Sequence, residues 1–170
     1  MARLSAQGMR WLKALHLIAV SCWVGGAIAL MLLYFLKSGV DEGGVLYGIN
    51  RSINHVDMYV VVIPGAFGCL VTGFVYSCFS KWGFFRHGWL TCKWILTVAA
   101  ILFGTFFLGP WERTMMELSG TLGASATADP AYLHNQRMHA IFGTVQTLVL
   151  ISMVFISVFK PWRPGRKTRA

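Results

Sequence analysis

Charge is scarce in this 170-residue sequence. Asp, Glu, Lys and Arg make up 12% of it, and only six residues are acidic. A soluble domain averages about twice that share. The deficit, with 56% hydrophobic residues, excludes an ordinary soluble domain and points to a membrane protein. Alternating strand-like segments are also missing, which excludes a β-barrel. The four cysteines, Cys22, Cys69, Cys78 and Cys92, form no Cys-x-x-Cys pair. They read as small buried hydrophobes rather than a disulfide, zinc or iron–sulfur framework. Without Cys-x-x-Cys-His there is no covalent c-type haem attachment. No nucleotide loop, Ser–His–Asp cluster or pair of intramembrane carboxylates is present, so hydrolytic and proton-coupled carrier chemistry are disfavoured.

What is present is four long apolar runs, at residues 11–36, 59–79, 89–108 and 140–159. Each is close to the ~20 residues that a helix needs to cross about 30 Å of hydrocarbon. Trp11, Tyr34, Tyr59, Trp82, Trp89, Trp111 and Trp162 lie near the run ends, where interfacial aromatics belong. Ala19-Val20-Ser21-Cys22 faintly resembles a lipoprotein cleavage site. The first run continues uncharged to Leu36, however, which is too long for a cleaved signal and reads as a retained span. The expected fold is an all-α integral membrane four-helix bundle in a single domain.

The net charge of +9 does not indicate nucleic acid, because the cations flank the apolar runs. Arg3, Arg10, Lys13, Lys81, Arg86, Lys93, Lys160, Arg163, Arg166, Lys167 and Arg169 fall on one side. Lys37, Arg51, Arg113 and Arg137 fall on the other with all six acids. Lys and Arg favour the cytoplasm, so both termini are expected there, in a multi-pass protein of a bacterial inner membrane.

Titratable groups inside an apolar run are the functional candidates. His16 sits about 12 Å from the middle of the first span at 1.5 Å per residue, inside the hydrocarbon edge. It shares a face with Val20, Trp23, Ala27 and Leu30. An interhelical hydrogen bond is the plain role for such a histidine, and a metal or haem ligand is the functional one. Gly25-Gly26-Ala27 permit close approach of a helix or a flat cofactor. Lys93, about 9 Å from the middle of its span, lies at a similar depth and the same membrane face. It can snorkel to the headgroups, face a porphyrin carboxylate, or ligate iron if deprotonated; it shares a face with Thr97, Ala100 and Gly104. His87 lies in the headgroup zone beside it.

Residues 37–56 and 109–128 read as loops on the acidic side, the first glycine-rich. His55 there is interfacial. Pro64-Gly65 should kink the second span and open room beside a cofactor. Asp129-Pro130 reads as an N-cap followed by Pro at the first helical position, so the fourth helix should start above the membrane. His134 and His139 are about 140° apart on that helix and cannot both face one site. His139, which shares a face with Gly143 and Gln146, is the better candidate. Lys160-Pro161 marks a sharp stop.

Lys13-Ala14-Leu15-His16 followed by Trp23-Val24-Gly25-Gly26 resembles the first-helix pattern of a broad group of bacterial membrane proteins. The group includes the copper-resistance D protein domain and the four-helix protoporphyrinogen IX oxidases. Ile63-Pro64-Gly65 with Thr72-Gly73, Trp89 to Lys93, and Lys160-Pro161 are similar to patterns in the oxidases' other three helices. The resemblance implies that His16 and Lys93 serve haem binding and activity. His55 and His139 are not carried over by it, and much of the oxidases' outer-loop pattern is absent.

Two haem arrangements follow. One site is framed by His16 with Lys93 or His87. A second is added by His55 and His139, since paired histidines commonly hold b-type haem. The expected function is therefore a metal-binding oxidoreductase in electron transport, with one or two haem b groups whose iron exchanges electrons with quinone or a porphyrinogen. The alternative is a copper-related transport or assembly factor, for which Met115-Met116 is the soft-ligand signal, or an accessory subunit of a larger membrane complex. The glycine-rich faces permit a homo-oligomer.

Overall fold

The computed structural model describes residues 4–79 and 87–161. Arg3, Lys81, Arg86, Arg163, Arg166, Lys167 and Arg169, used above to orient the chain, and the run-end aromatics Trp82 and Trp162 lie outside the described residues. Among the described residues, four helices are long and apolar enough to cross a membrane: Ala6–Leu36, Gly43–Phe79, Gly88–Ala128 and Pro130–Phe159. They run antiparallel in chain order. One end of the bundle carries the first and last described residues, here the terminal end, and the other is the far end.

These helices are longer than the apolar runs. At 30 to 41 residues they measure about 45–60 Å at helical rise, well over a bilayer's hydrocarbon. The surplus lies mainly at the far end and corrects the sequence reading there: residues 43–56 and 109–128 are helical, and only 37–42 is a turn. Gly43–Val56 and Gly109–Leu122 are helices that continue the second and third spans and pack on each other. The reason is amphipathic spacing that the glycines obscured. Leu46, Asn50 and Ile53 form one buried stripe, and Glu112, Met115 and Ser119 another. The glycines are contact points: a Cβ on Gly43 would lie 2.6 Å from the Ala124 amide nitrogen, and one on Gly120 would lie 3.1 Å from the Tyr47 ring. Leu46, Met115, Ala126 and Tyr132 make a small core in this cap.

The main core lies among the spans and contains Ala19, Trp23, Leu30, Val61, Ala66, Cys69, Ala100, Leu150 and Met153. Its tightest seam joins the first two helices. A Cβ on Gly65 would lie 2.8 Å from Trp23 Cα, and one on Gly26 would lie 2.6 Å from Val61 Cγ2. Small residues bring backbones together where lipid supplies no hydrophobic drive. Gly65 is therefore spent on helix contact rather than on cofactor room. Pro64 sits in wide π-helical turns over Asp57–Phe67, which carry the missing N–H without ending the helix.

The fourth helix begins as expected. The Asp129 carboxylate accepts from the Ala131 and Tyr132 amides at 2.8 and 3.0 Å, with Pro130 first in the helix. It ends at Lys160, whose backbone is left-handed, followed by Pro161. All four cysteines are free.

Candidate functional site

Among the described residues, a cavity opens between the helices toward each end, and Trp23 and Leu150 line both. The single face of the first helix read from the sequence is divided between them. His16, Val20 and Trp23 line the terminal-end cavity, and Trp23, Ala27 and Leu30 line the far-end one. The third helix is divided the same way, Lys93 and Thr97 to one and Ala100 and Gly104 to the other.

The terminal-end cavity has a volume of about 610 Å³, within the ~300–1,000 Å³ of ligand sites. His16 and Lys93 both line it, so the structure brings this expected pair to one site. His16 Nδ1 lies 2.7 Å from the Thr72 hydroxyl. That hydroxyl gives its own proton to the Gly68 carbonyl, so its oxygen accepts from His16 Nδ1–H. The imidazole is thereby fixed as the Nδ1–H tautomer, and Nε2 keeps its lone pair. Tyr76 meets the ring edge-on at 5.9 Å. Lys93 Nζ donates to Ser157 Oγ at 2.8 Å, and Trp94 donates to Ser77 Oγ at 3.2 Å. Lys13 and Lys160 also border the cavity, while Leu17, Val20, Val24, Met153 and Val154 make its wall apolar. An apolar slot with a free imidazole nitrogen and a cationic rim suits a flat macrocycle bearing carboxylates. His87 precedes the third helix with its ring 6.4 Å from that of Trp89, and it is not among the lining residues.

The far-end cavity, about 470 Å³, is lined by His139, Gly143 and Gln146 together, the shared face expected from their spacing. His134 is exposed. His55 is exposed too, its Nδ1 2.8 Å from the Arg51 carbonyl of its own helix. It lines neither cavity, so His55 and His139 are not brought together.

His139 has other company. Its ring stacks on Tyr34 with centroids 4.6 Å apart and planes parallel. Lys37 Nζ sits 4.1 Å from the centre of the Tyr34 ring, in cation–π range. His139 Nε2 is 2.9 Å from Glu112 Oε1. That contact is off the line of a hydrogen bond, and neither Glu112 oxygen has a hydrogen-bond partner. Lys37 Nζ donates to Asn50 Oδ1 at 3.1 Å and approaches Met115 Sδ at 3.4 Å. Asn50 Nδ2 donates to Ser119 Oγ and Tyr132 OH, both at 3.1 Å. Lys37, Asn50, Glu112 and Ser119 are 3% exposed or less. Burial pushes Lys37 down from its ordinary 10.5 to about 8, against the pull of Glu112 in the opposite direction.

Sequence reasoning missed this network. It placed Lys37 and Glu112 among solvated loop charges. The available signal was the i, i+3, i+4 placing of Asn50 with Leu46 and Ile53, and of Glu112 with Met115 and Ser119. Met115, named above for copper, has its sulfur committed to Tyr34 and Lys37.

The chain is similar to protoporphyrinogen IX oxidase from Helicobacter pylori, strains J99 and 26695. Each is 26% identical over 153 residues, which take in 89% of this chain and 94% of the relative. No solved structure matches it. Residues 10–161, which include both cavities' lining, match the family described as predicted integral membrane protein (DUF2269), and the chain belongs to that family.

Proposed function

We propose that this protein is a membrane haem oxidoreductase acting on a porphyrinogen-type substrate, with b-type haem in the terminal-end cavity. The observation that carries this is His16. Thr72 holds Nδ1–H, which leaves Nε2 unprotonated on a side chain that lines an apolar cavity of fitting size. A second hydrogen bond of this kind fixes ring orientation in metal-ligating histidines. His16 is the iron ligand in this reading. Lys93, Lys13 and Lys160 hold porphyrin carboxylates by charge. Haem, when bound, supplies one-electron chemistry that no side chain here provides. Trp23 and Leu150 close the cavity's inner end against water. The relatives named protoporphyrinogen IX oxidase favour a porphyrinogen over other donors. With Met115 already engaged, nothing in the far-end network favours copper.

The Lys and Arg distribution supports a bacterial inner-membrane location with the terminal end facing the cytoplasm.

The test is haem content by pyridine haemochrome after purification in mild detergent. His16→Ala should lose most haem while the bundle still melts cooperatively. Thr72→Val should keep the fold and weaken haem retention by about 10–100-fold. Full haem in His16→Ala overturns the assignment.

A further inference from the structure

We propose that the far-end cavity binds the head group of a membrane hydroquinone, with one of its hydroxyls donating to Glu112. The redox reading above helps to name this ligand, but the binding itself requires no haem.

Glu112 is the starting point. Its side chain is 2% exposed and lines the cavity, and both carboxyl oxygens lack a hydrogen bond. A buried polar group left without one is costly, and native structures rarely keep it without a reason. The carboxyl does not lack charge compensation. Lys37 acts on it electrostatically, and His139 lies within 2.9 Å. What it lacks is a donor, so the missing partner is a neutral O–H rather than a cation. Among the described residues no three of His, Cys, Asp and Glu gather to hold a metal.

The cavity tells where that donor comes from. Met58 and Val62, each 39% exposed on the lipid-facing flank of the second helix, line it together with buried Glu112. The cavity therefore opens on this apolar flank, and exposed Ser38 and Arg113 border it as well. The remaining wall mixes apolar Ala27, Leu30 and Ala66 with polar Asp57, Arg113, Gln136 and Gln146. A molecule entering over that flank must dissolve in lipid, carry a hydroxyl for Glu112 and set apolar surface against Ala27, Leu30 and Ala66. Gly143 keeps the surface beside His139 flat, since a Cβ there would touch the imidazole at 3.4 Å. A hydroquinone meets each requirement. The oxidised quinone only accepts hydrogen bonds and brings no donor to an ionised Glu112, so at a pH that keeps this carboxylate ionised the reduced form should bind better.

The experiment is calorimetric titration of the purified full-length protein in detergent. The probes are decylubiquinol kept under reductant, decylubiquinone, the quinol's dimethyl ether and dodecanol. The expected result is that the quinol binds at least ~10-fold more tightly than each of the other three: a polar site rejects the quinone and the ether, which lack the hydroxyl, and dodecanol has the hydroxyl but no ring to set beside His139. Glu112→Leu should lose that preference. Its melting temperature should fall, because the change leaves the buried Lys37 ammonium without its neighbouring carboxylate. Equal binding of quinol and dimethyl ether, or of quinol and dodecanol, overturns the proposal. So does an unchanged preference in Glu112→Leu; if that variant fails to fold, the comparison of ligands on the wild type decides. Haem measured in the same samples separates the two readings. Quinol preference in a haem-free protein sinks only the haem assignment, and a haem-loaded protein without the preference sinks only this one.

Discussion

Lys37 shows how one residue can be misread from sequence. It follows the first apolar run, where a lysine ordinarily marks the membrane edge, yet it is 3% exposed. Its ammonium is held by Asn50, the Met115 sulfur and the Tyr34 ring. Burial lowers its pKa to about 8, and this predicts a pH dependence. Between about 8 and the ordinary 10.5, the unfolded chain keeps a proton that the folded protein has released. Stability contributed through Lys37 therefore rises with pH across that window. Below about 8 the cost of burying the charge is present in full. Thermal melts in detergent at stepped pH should show the rise in wild type but not in Lys37→Met. Parallel curves for the two proteins would refute the buried-ammonium account. His16 was legible for the opposite reason: an isolated imidazole in an uncharged run has few places to be, and the structure gives it Thr72 and a cavity.

At the level of elements, the spans were legible because apolar length is a one-dimensional signal. The Asp129-Pro130 start was legible because cap chemistry is local. The cap helices at the far end were not. Gly43–Val56 contains glycines at 43, 44 and 48, and glycine argues against helix when taken alone. Its helicity depends on Gly43 abutting the turn at Gly123 and on Tyr47 covering Gly120, which are tertiary contacts. Glycines in the spans separate in the same way. Gly65 is pressed against the Trp23 backbone, whereas a Cβ on Gly25 would meet nothing within 4 Å. Gly65→Ala should lower stability by about 1–3 kcal/mol, the range for overpacking, and Gly25→Ala should not lower it. Unfolding in a graded series of denaturing detergent would compare them. Equal stability of the two variants would remove the close seam as a feature of the bundle.

For the whole molecule, the four antiparallel helices put His16 and Lys93 at one end, and His139 and Glu112 at the other, with Trp23 and Leu150 between the two cavities. That division was half visible in the sequence. Face-sharing residues were identified on each helix, but spacing along one helix says nothing about where a second cavity begins. Orientation is a property of the molecule as a whole. A fluorescent protein fused at the C-terminus should fluoresce, and alkaline phosphatase inserted at Gly39, in the turn after the first helix, should be active. The reverse pattern would invert the assignment of both ends. The far-end cap has a consequence for the surrounding lipid. Its buried Lys37–Asn50–Ser119–Tyr132 layer ties all four helices together at one fixed height, directly above apolar surface. A helix pair without such a tie meets a thicker bilayer by sliding or tilting strand against strand; this bundle cannot shear there. The layer works as a depth gauge that pins the far end to its interface. Any mismatch between protein and bilayer must then be absorbed at the terminal end, where Lys13, Lys93 and Lys160 border the cavity.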